Sequence, residues 1–174
     1  MAMCRDGSTE AFSELVRRRT PELFRFFRLL KAGRHDAEDW TQETFLRVYA
    51  YRSRFRELLP GGFRILLYRI ARNVRADALR RTQRRVVCVP GDLTDLPISS
   101  ADEIPQGVES ALDIEYALST LEEKHRAVVV FTIFQGLSYT EAAEVLGIPL
   151  GTVKSRMLFA VARLKEALGV DAAL

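Results

Sequence analysis

The chain has 174 residues with an apolar share of 48%, which suits one domain or two small ones that bury a core. No run of about 18 apolar residues is present, which excludes a membrane span, and Cys4 and Cys88 lack the spacing of a zinc site or a disulfide framework. The net charge of +3 is unevenly distributed: residues 1–85 carry 20 Lys and Arg against 10 Asp and Glu, residues 86–123 carry none against 9, and residues 124–174 carry 6 against 4.

This charge distribution indicates a nucleic-acid-binding protein with an acidic spacer, because basic blocks attract phosphate and acidic stretches repel it. An ordinary solvated surface is the alternative explanation for such blocks. The first residues lack the apolar segment of a secretory signal, and two isolated thiols fit a reducing compartment. We therefore expect a cytoplasmic protein.

The start of the basic block, residues 1–85, predicts two helices, the second of which begins with an N-cap. Thr20 and Pro21 suit the N-cap and the first position of a helix, so a new helix is predicted to start there. Apolar residues recur at helical spacing on both sides of this point. They are Phe12, Leu15 and Val16 before it, and Leu23, Phe26, Phe27 and Leu30 after it.

Two more helices are predicted in the same block. Asp36 suits the N-cap of a third helix, whose buried side contains Trp40, Phe45, Val48 and Tyr49. A long fourth helix follows the break at residues 60–62. Its predicted inward side chains are Phe63, Leu66, Leu67, Ile70, Val74 and Leu79. Its outward arginines are Arg64, Arg69, Arg72, Arg75, Arg80, Arg81, Arg84 and Arg85.

The middle of the chain has a different composition. Residues 86–108 contain three prolines, two glycines and alternating acids, which is typical of an irregular linker. A helical pattern resumes near Glu109 and continues to Leu121. Residues 128–134 are nearly all apolar and would suit a buried strand, but their helical surroundings favour a helix.

The C-terminal part predicts a helix-turn-helix. Ser138 and Glu141 form a capping box for a short helix that ends at Gly147, and Pro149 opens a last helix that extends to about Leu168. The second helix of such a motif can enter a DNA major groove, although tight helical corners also occur in ordinary bundles. The predicted inward residues of the last helix are Leu150, Val153, Met157, Ala160, Leu164 and Leu168. The predicted outward residues are Gly151, Ser155, Leu158, Phe159 and Ala162.

Two parts of the sequence resemble the extracytoplasmic-function (ECF) group of RNA polymerase sigma factors. The first comprises residues 35–47 followed by 63–73, and the second comprises residues 137–156. Their order and separation are similar to that family over residues 8–168. The resemblance implies an all-α protein of two small helical domains: region 2 at 1–85, an acidic linker at 86–108, and region 4, with the helix-turn-helix, at 109–174.

The resemblance also implies a function and partners. Such a protein binds core RNA polymerase through the beta-prime clamp and the beta flap, directs it to promoter DNA, and is bound by an anti-sigma factor. The implied polymerase-binding residues are Asp36, Asp39, Gln42 and Glu43. No cofactor and no enzymatic activity are expected, because the sequence contains no nucleophile–base pair, metal cluster or phosphate loop, and His35 and His125 are isolated and expected on the surface. The alternative is a stand-alone helix-turn-helix regulator.

Region 2 of the family captures a flipped base of the minus-ten element, which requires stacking and hydrogen-bonding groups. Leu66 stands where the family commonly has Trp. Phe55 and Tyr68 are alternatively simple core aromatics. The residues that the resemblance implies for minus-ten DNA are Arg47, Phe55, Tyr68, Arg72, Asn73, Arg80 and Arg84.

Region 4 is expected to bind the minus-thirty-five element through its last helix, because its cations and hydroxyls suit phosphates and base edges. The family usually has cations on the last helix just after residue 156, whereas this chain has Leu158, Phe159 and Val161. The apolar pair Leu158 and Phe159 either contacts DNA methyl groups or is covered by a partner protein. The implied DNA-binding residues are Thr152, Lys154, Ser155, Arg156, Leu158 and Phe159.

Overall fold

The computed structural model describes residues 9–52, 62–87 and 109–168, and all regular structure in these ranges is helical. The prediction of an all-α protein is confirmed. The helices are α1 (Thr9–Leu29), α2 (Arg34–Tyr51), α3 (Gly62–Val87), α4 (Glu109–Ser119), α5 (Glu123–Val129), a π-helical turn (Val130–Phe134), α6 (Tyr139–Leu146) and α7 (Leu150–Ala167).

The helices belong to two compact units. In the described ranges, the first unit contains α1 up to Arg25, together with α2 and α3. The second contains Phe26–Ala32 and the helices α4 to α7. The predicted domain bounds at residues 85 and 108 stay a prediction, and the predicted linker from residue 88 onward lies outside the described residues.

The first helix is continuous where two helices were predicted, so that prediction is wrong. Pro21 lies inside α1, and the Thr20 hydroxyl donates to the Val16 carbonyl at 2.8 Å instead of capping a new helix. A proline inside a helix costs about 3 kcal/mol. Each large apolar side chain that is buried contributes about 1.5–3 kcal/mol, so a continuous apolar face outweighs the proline. The fully buried residues after Pro21 are Leu23, Phe26 and Phe27.

The second helix begins three residues earlier than predicted. Gly33 occupies the N-cap, so Asp36 lies in the first turn, where its charge suits the helix dipole but does not cap. Trp40 is half-buried and Tyr49 is exposed, in contrast to their predicted inward placement. Their places are taken by threonines whose hydroxyls bond to backbone carbonyls one turn earlier. The buried residues of α2 are Ala37, Thr41, Thr44, Phe45 and Val48.

The third helix packs against α2. Leu67 and Val74 are buried as predicted, whereas Leu79 is exposed because it lies beyond the part of α3 that is covered. The remaining buried residues of α3 are Ile65, Tyr68 and Ala71. Because the arginines of α3 follow its uncovered positions, this packing places a basic surface beside α2.

The second unit is built around the apolar stretch after α5. Residues 128–134 are helical, which confirms the helix prediction over the strand alternative, and Val130–Phe134 form a π-helical turn that the sequence pattern did not indicate. The amide of Gln135 donates to the Val130 carbonyl at 3.0 Å, five residues back. Arg126 is buried and donates to the carbonyls of Leu118 and Leu121, which stabilises the C-terminal end of α4 and the residues after it.

The helix-turn-helix has the cap and turn residues that the sequence predicted. The Glu141 amide donates to Ser138 Oγ at 3.2 Å, and the Ser138 amide donates to Glu141 Oε2 at 2.8 Å. Gly147 ends α6 with a φ of 65°, a left-handed conformation that favours glycine. Pro149 is the N-cap of α7, and α6 and α7 meet at 106°. That angle lies in the range typical of a helix-turn-helix.

No single helix among the described residues is long and apolar enough to cross a bilayer. Among these helices, only α6 and α7 together, across their bend, have the length and apolar composition of a span.

Candidate nucleic-acid interface

A polar groove of about 930 Å³ lies between α2 and α3 in the first unit. It unites two sets of residues that the sequence assigned to different partners. Those assigned to polymerase are Asp36, Asp39, Gln42 and Glu43, and those assigned to DNA are Arg47, Arg80 and Arg84.

Four groove residues form what we name the ion-pair chain: Glu43, Arg47, Asp77 and Arg80. Arg47 donates from Nε to Glu43 Oε1 at 2.7 Å and from Nη1 to Asp77 Oδ2 at 2.8 Å. Arg80 Nη2 donates to the other oxygen of Asp77 at 2.6 Å. Negative and positive side chains therefore alternate along the ion-pair chain, which links α2 to α3.

These contacts shift the pKa values of two members. The hydrogen bond from Arg47 lowers the pKa of the Asp77 carboxyl, and Arg80 lowers it further. The bonds to Asp77 and Glu43 raise the pKa of the Arg47 guanidinium. The Asp77 carboxylate and the Arg47 guanidinium therefore stay charged near neutral pH, and the hydrogen bond between them is present there.

The other residues predicted to bind minus-ten DNA have contrasting environments. Tyr68 is only 2% exposed, and burial raises the pKa of its phenol to about 12. It lies in the core of the first unit, which favours the alternative of a core aromatic. Arg72 and Asn73 are exposed on α3, and Leu66 is half-buried. Phe55 lies outside the described residues.

The DNA-reading residues predicted on α7 are accessible to different degrees. Lys154 and Ser155 are exposed, whereas Thr152 and Arg156 are half-buried. Ser155 Oγ donates to the Thr152 carbonyl at 3.1 Å, which orients the hydroxyl along the helix. The inward prediction is correct for Val153, Met157 and Ala160, but Leu150 and Leu168 at the two ends are exposed and Leu164 is half-buried.

The two apolar residues Leu158 and Phe159 on α7 have different environments. Leu158 is 75% exposed, whereas Phe159 is 49% exposed and its ring stacks on His125 at a centroid distance of 4.3 Å. His125 is 7% exposed, so its predicted surface position is wrong, whereas His35 is exposed as predicted. Sequence spacing did contain the signal, because His125 follows Leu121 by four residues and precedes Val128 by three, on the apolar face of α5.

The environment of His125 disfavours its charged form. Burial lowers the pKa of the imidazole, and the nearby cations Lys124 and Arg156 lower it further, while Glu122 acts in the opposite direction. Within the described ranges, its buried Nδ1 has no hydrogen-bond partner. A proton added at Nδ1 would therefore gain no compensating bond.

A pH dependence of stability follows from this environment. Because the folded-state pKa is depressed, His125 contributes stability that is complete above its unfolded pKa of about 6.5 and is lost as the pH falls below that value. Urea unfolding at pH 7.5 and 5.5 should therefore show a smaller loss on acidification for His125→Phe than for the wild type. His35→Phe, which alters the exposed histidine, is the control. It should lose as much stability as the wild type when the pH is lowered. Equal losses in all three proteins would contradict the assignment.

The sequence missed Asp77 as a member of this interface. It is the only acidic residue in α3, which also carries eight arginines. Its isolation among cations was a visible signal, but the sequence did not indicate that its partner is Arg47, 30 residues away on another helix.

Comparison with known families and structures gives consistent results. Residues 15–85 match the model of sigma-70 region 2, and residues 111–164 match that of sigma-70 region 4. The chain is 37% identical over 150 residues to the ECF RNA polymerase sigma factor SigE of Mycolicibacterium smegmatis, covering 84% of this chain and 57% of that relative. It is 36% identical over 163 residues to SigM of Mycobacterium tuberculosis, covering 94% and 80%.

A solved structure is similar over nearly the full length of both chains. It is the sigma factor RpoE of Bartonella quintana in a co-crystal with the anti-sigma factor NepR, with a TM-score of 0.78, 27% identity, and coverage of 94% of this chain and 99% of that chain. Both the helical fold and the order of its parts are therefore shared with a sigma factor.

Proposed function

The chain belongs to the ECF group of RNA polymerase sigma factors, and from this membership we infer that it is a transcription initiation factor that directs core RNA polymerase to specific promoters. The observation that carries the proposal is the presence of region 2 and region 4 in one chain and in the family's order. The chain spans 57% of the length of SigE and 80% of the length of SigM. A cytoplasmic location is part of the proposal.

Region 2 is the proposed site of polymerase binding and promoter melting. The acids and Gln42 on α2 offer an anionic surface of the kind that complements a basic partner, and the exposed arginines of α3 offer a cationic surface for phosphate. Asn73 is the proposed reader of the flipped base, supported by its exposure on the arginine-rich helix. Arg72 is proposed to bind the neighbouring backbone.

Region 4 is the proposed reader of the minus-thirty-five element. Lys154, Ser155 and Arg156 on α7 supply donors for phosphates and base edges. Leu158 is proposed to contact a thymine methyl group, which its high exposure supports. An anti-sigma factor is a further proposed partner, supported by the likeness to RpoE, which was crystallised with NepR.

The competing function is a stand-alone helix-turn-helix regulator, which would bind DNA without polymerase. Gel filtration of the full chain mixed with core RNA polymerase separates the two functions. Comigration with core is the expected result. A folded chain that binds DNA but elutes separately from core would favour the regulator.

The basic surface of α3 should contribute affinity that depends on salt but not on sequence. Arg84 is exposed and, in the part of the chain that the structure describes, makes no hydrogen bond or ion pair. Arg84→Ala in the holoenzyme should therefore reduce the slope of log affinity against log salt by about 1, because one phosphate contact is lost. The control is Arg17→Ala, an exposed arginine of α1, which should leave the slope unchanged. An unchanged slope for Arg84→Ala would remove this residue from the DNA surface.

A further inference from the structure

Asp77 connects Arg47 and Arg80, two arginines that are assigned to DNA. It is the only acid among the 26 residues of α3. Its two carboxylate oxygens accept from different guanidiniums, Arg47 on α2 and Arg80 on α3. About a third of the Asp77 and Arg47 side chains is exposed, so the contact lies at the edge of the groove, where a phosphate can reach it.

The ion-pair chain changes what Arg47 can bind. Its guanidinium is hydrogen-bonded to two carboxylates, Glu43 and Asp77, the second of which it shares with Arg80, so the four charges of the ion-pair chain sum to zero. A DNA phosphate that approached Arg47 would have to displace a carboxylate or be repelled by it. A neutral base edge meets no such repulsion. A guanidinium has five donors, and the bonds to Glu43 and Asp77 use two of them.

Arg80 is restrained in a similar way, because its Nη2 donates to Asp77 at 2.6 Å, whereas Arg84, one turn further along α3, has no such acid beside it. The structure therefore contains two classes of arginine on one basic surface. Arg47 and Arg80 are paired with Asp77, whereas Arg84 is exposed and available to the DNA backbone.

We propose that Asp77 is a specificity-determining residue that prevents Arg47 and Arg80 from binding DNA phosphate indiscriminately. This inference rests on the proposed function, since it concerns the discrimination between promoter and other DNA. By holding Arg47 and Arg80, Asp77 lowers the affinity for all DNA and leaves Arg47 as an oriented donor for a base. Removal of the carboxylate raises sequence-independent affinity and reduces the preference for the promoter.

The test uses holoenzyme assembled from core polymerase and the full chain. Affinities for a promoter duplex and for a scrambled duplex are measured by fluorescence anisotropy across a salt series. Asp77→Asn should bind scrambled DNA several times more tightly at low salt, and its salt slope should steepen by about 1 for each arginine released. The ratio of promoter to scrambled affinity should fall.

Glu14→Gln is the matched control. Glu14 also accepts from two arginines, Arg17 and Arg18, but on the exposed surface of α1. This variant removes the same charge and takes one carboxylate partner from each of two guanidiniums, so any general effect of net charge appears in both variants. The slope and the ratio should stay at their wild-type values for Glu14→Gln and also for Asp77→Glu, which keeps the carboxylate. Asp77→Ala is a second charge-removing variant that suits a helix.

The outcomes are distinguishable. Weaker binding to both duplexes with an unchanged slope would mean that Asp77 only joins α2 to α3, and would overturn the proposal. The same steepening in Glu14→Gln would also overturn it. A wild-type chain that does not comigrate with core overturns the proposed function instead, and the same salt series on the chain alone then decides the role of Asp77.

Discussion

Replacing Phe131 with Ala is expected to lower the free energy of unfolding of the second unit by about 3–5 kcal/mol. Phe131 lies in the π-helical turn and is 1% exposed, among the largest fully buried side chains of the described residues. Its removal leaves a cavity that the surrounding helices fill only in part, so the cost includes both lost burial and lost packing. Urea unfolding of the full chain, followed by circular dichroism, measures the loss.

The same turn supplies the control for this experiment. Ile133, two residues later, is 59% exposed, and Ile133→Ala should change the stability by less than about 0.5 kcal/mol. Similar losses in the two variants would show that the turn is not packed as described. The comparison also tests the π-helical turn itself, because that turn sets which of its residues face the core.

Replacing Asn73 with Ala should impair promoter opening by about 5- to 150-fold while leaving binding to core polymerase intact. An amide that reads a base edge contributes about 1–3 kcal/mol, and each 1.4 kcal/mol corresponds to a factor of ten. Asn73 is exposed on α3, so its replacement should not unfold the first unit. Permanganate reactivity of the melted thymines measures opening, and gel filtration measures binding to core.

Gln83→Ala is the matched control for Asn73→Ala. Gln83 is another exposed amide on α3, ten residues further along the helix, and no role in base capture is proposed for it. Its variant should open the promoter normally. Normal permanganate reactivity in Asn73→Ala would remove this residue from base capture, whereas an equal defect in both variants would indicate a general disturbance of α3.

The helix-turn-helix was predictable because its signals are local. The capping box at Ser138, the left-handed Gly147 and the helix start at Pro149 each depend on contacts within about five residues. Such contacts are specified by neighbouring residue types and need no knowledge of the tertiary fold.

Two of the failed predictions involve distant contacts. Thr20 and Pro21 have the local pattern of a helix start, yet burial of the residues beyond them keeps α1 continuous. His125 lies in a charged stretch of sequence but is buried against Phe159, 34 positions later. In each case tertiary packing overrode a local preference.

The candidate site shows the same limit. The sequence and its resemblance to a family selected Arg47 and Arg80, but the pairing of both with Asp77 depends on how α2 packs against α3. Tyr68 illustrates the reverse case, because its residue type suits stacking on a base while its burial assigns it to the core.

Run-off transcription is the most direct test of the central claim. Purified core RNA polymerase is supplied with a DNA fragment from upstream of the chain's own gene and then with a library of genomic fragments, with and without the full chain. Transcripts with defined starts should appear only when the chain is present. A folded chain that yields no transcript above core polymerase alone, from any fragment, would contradict it.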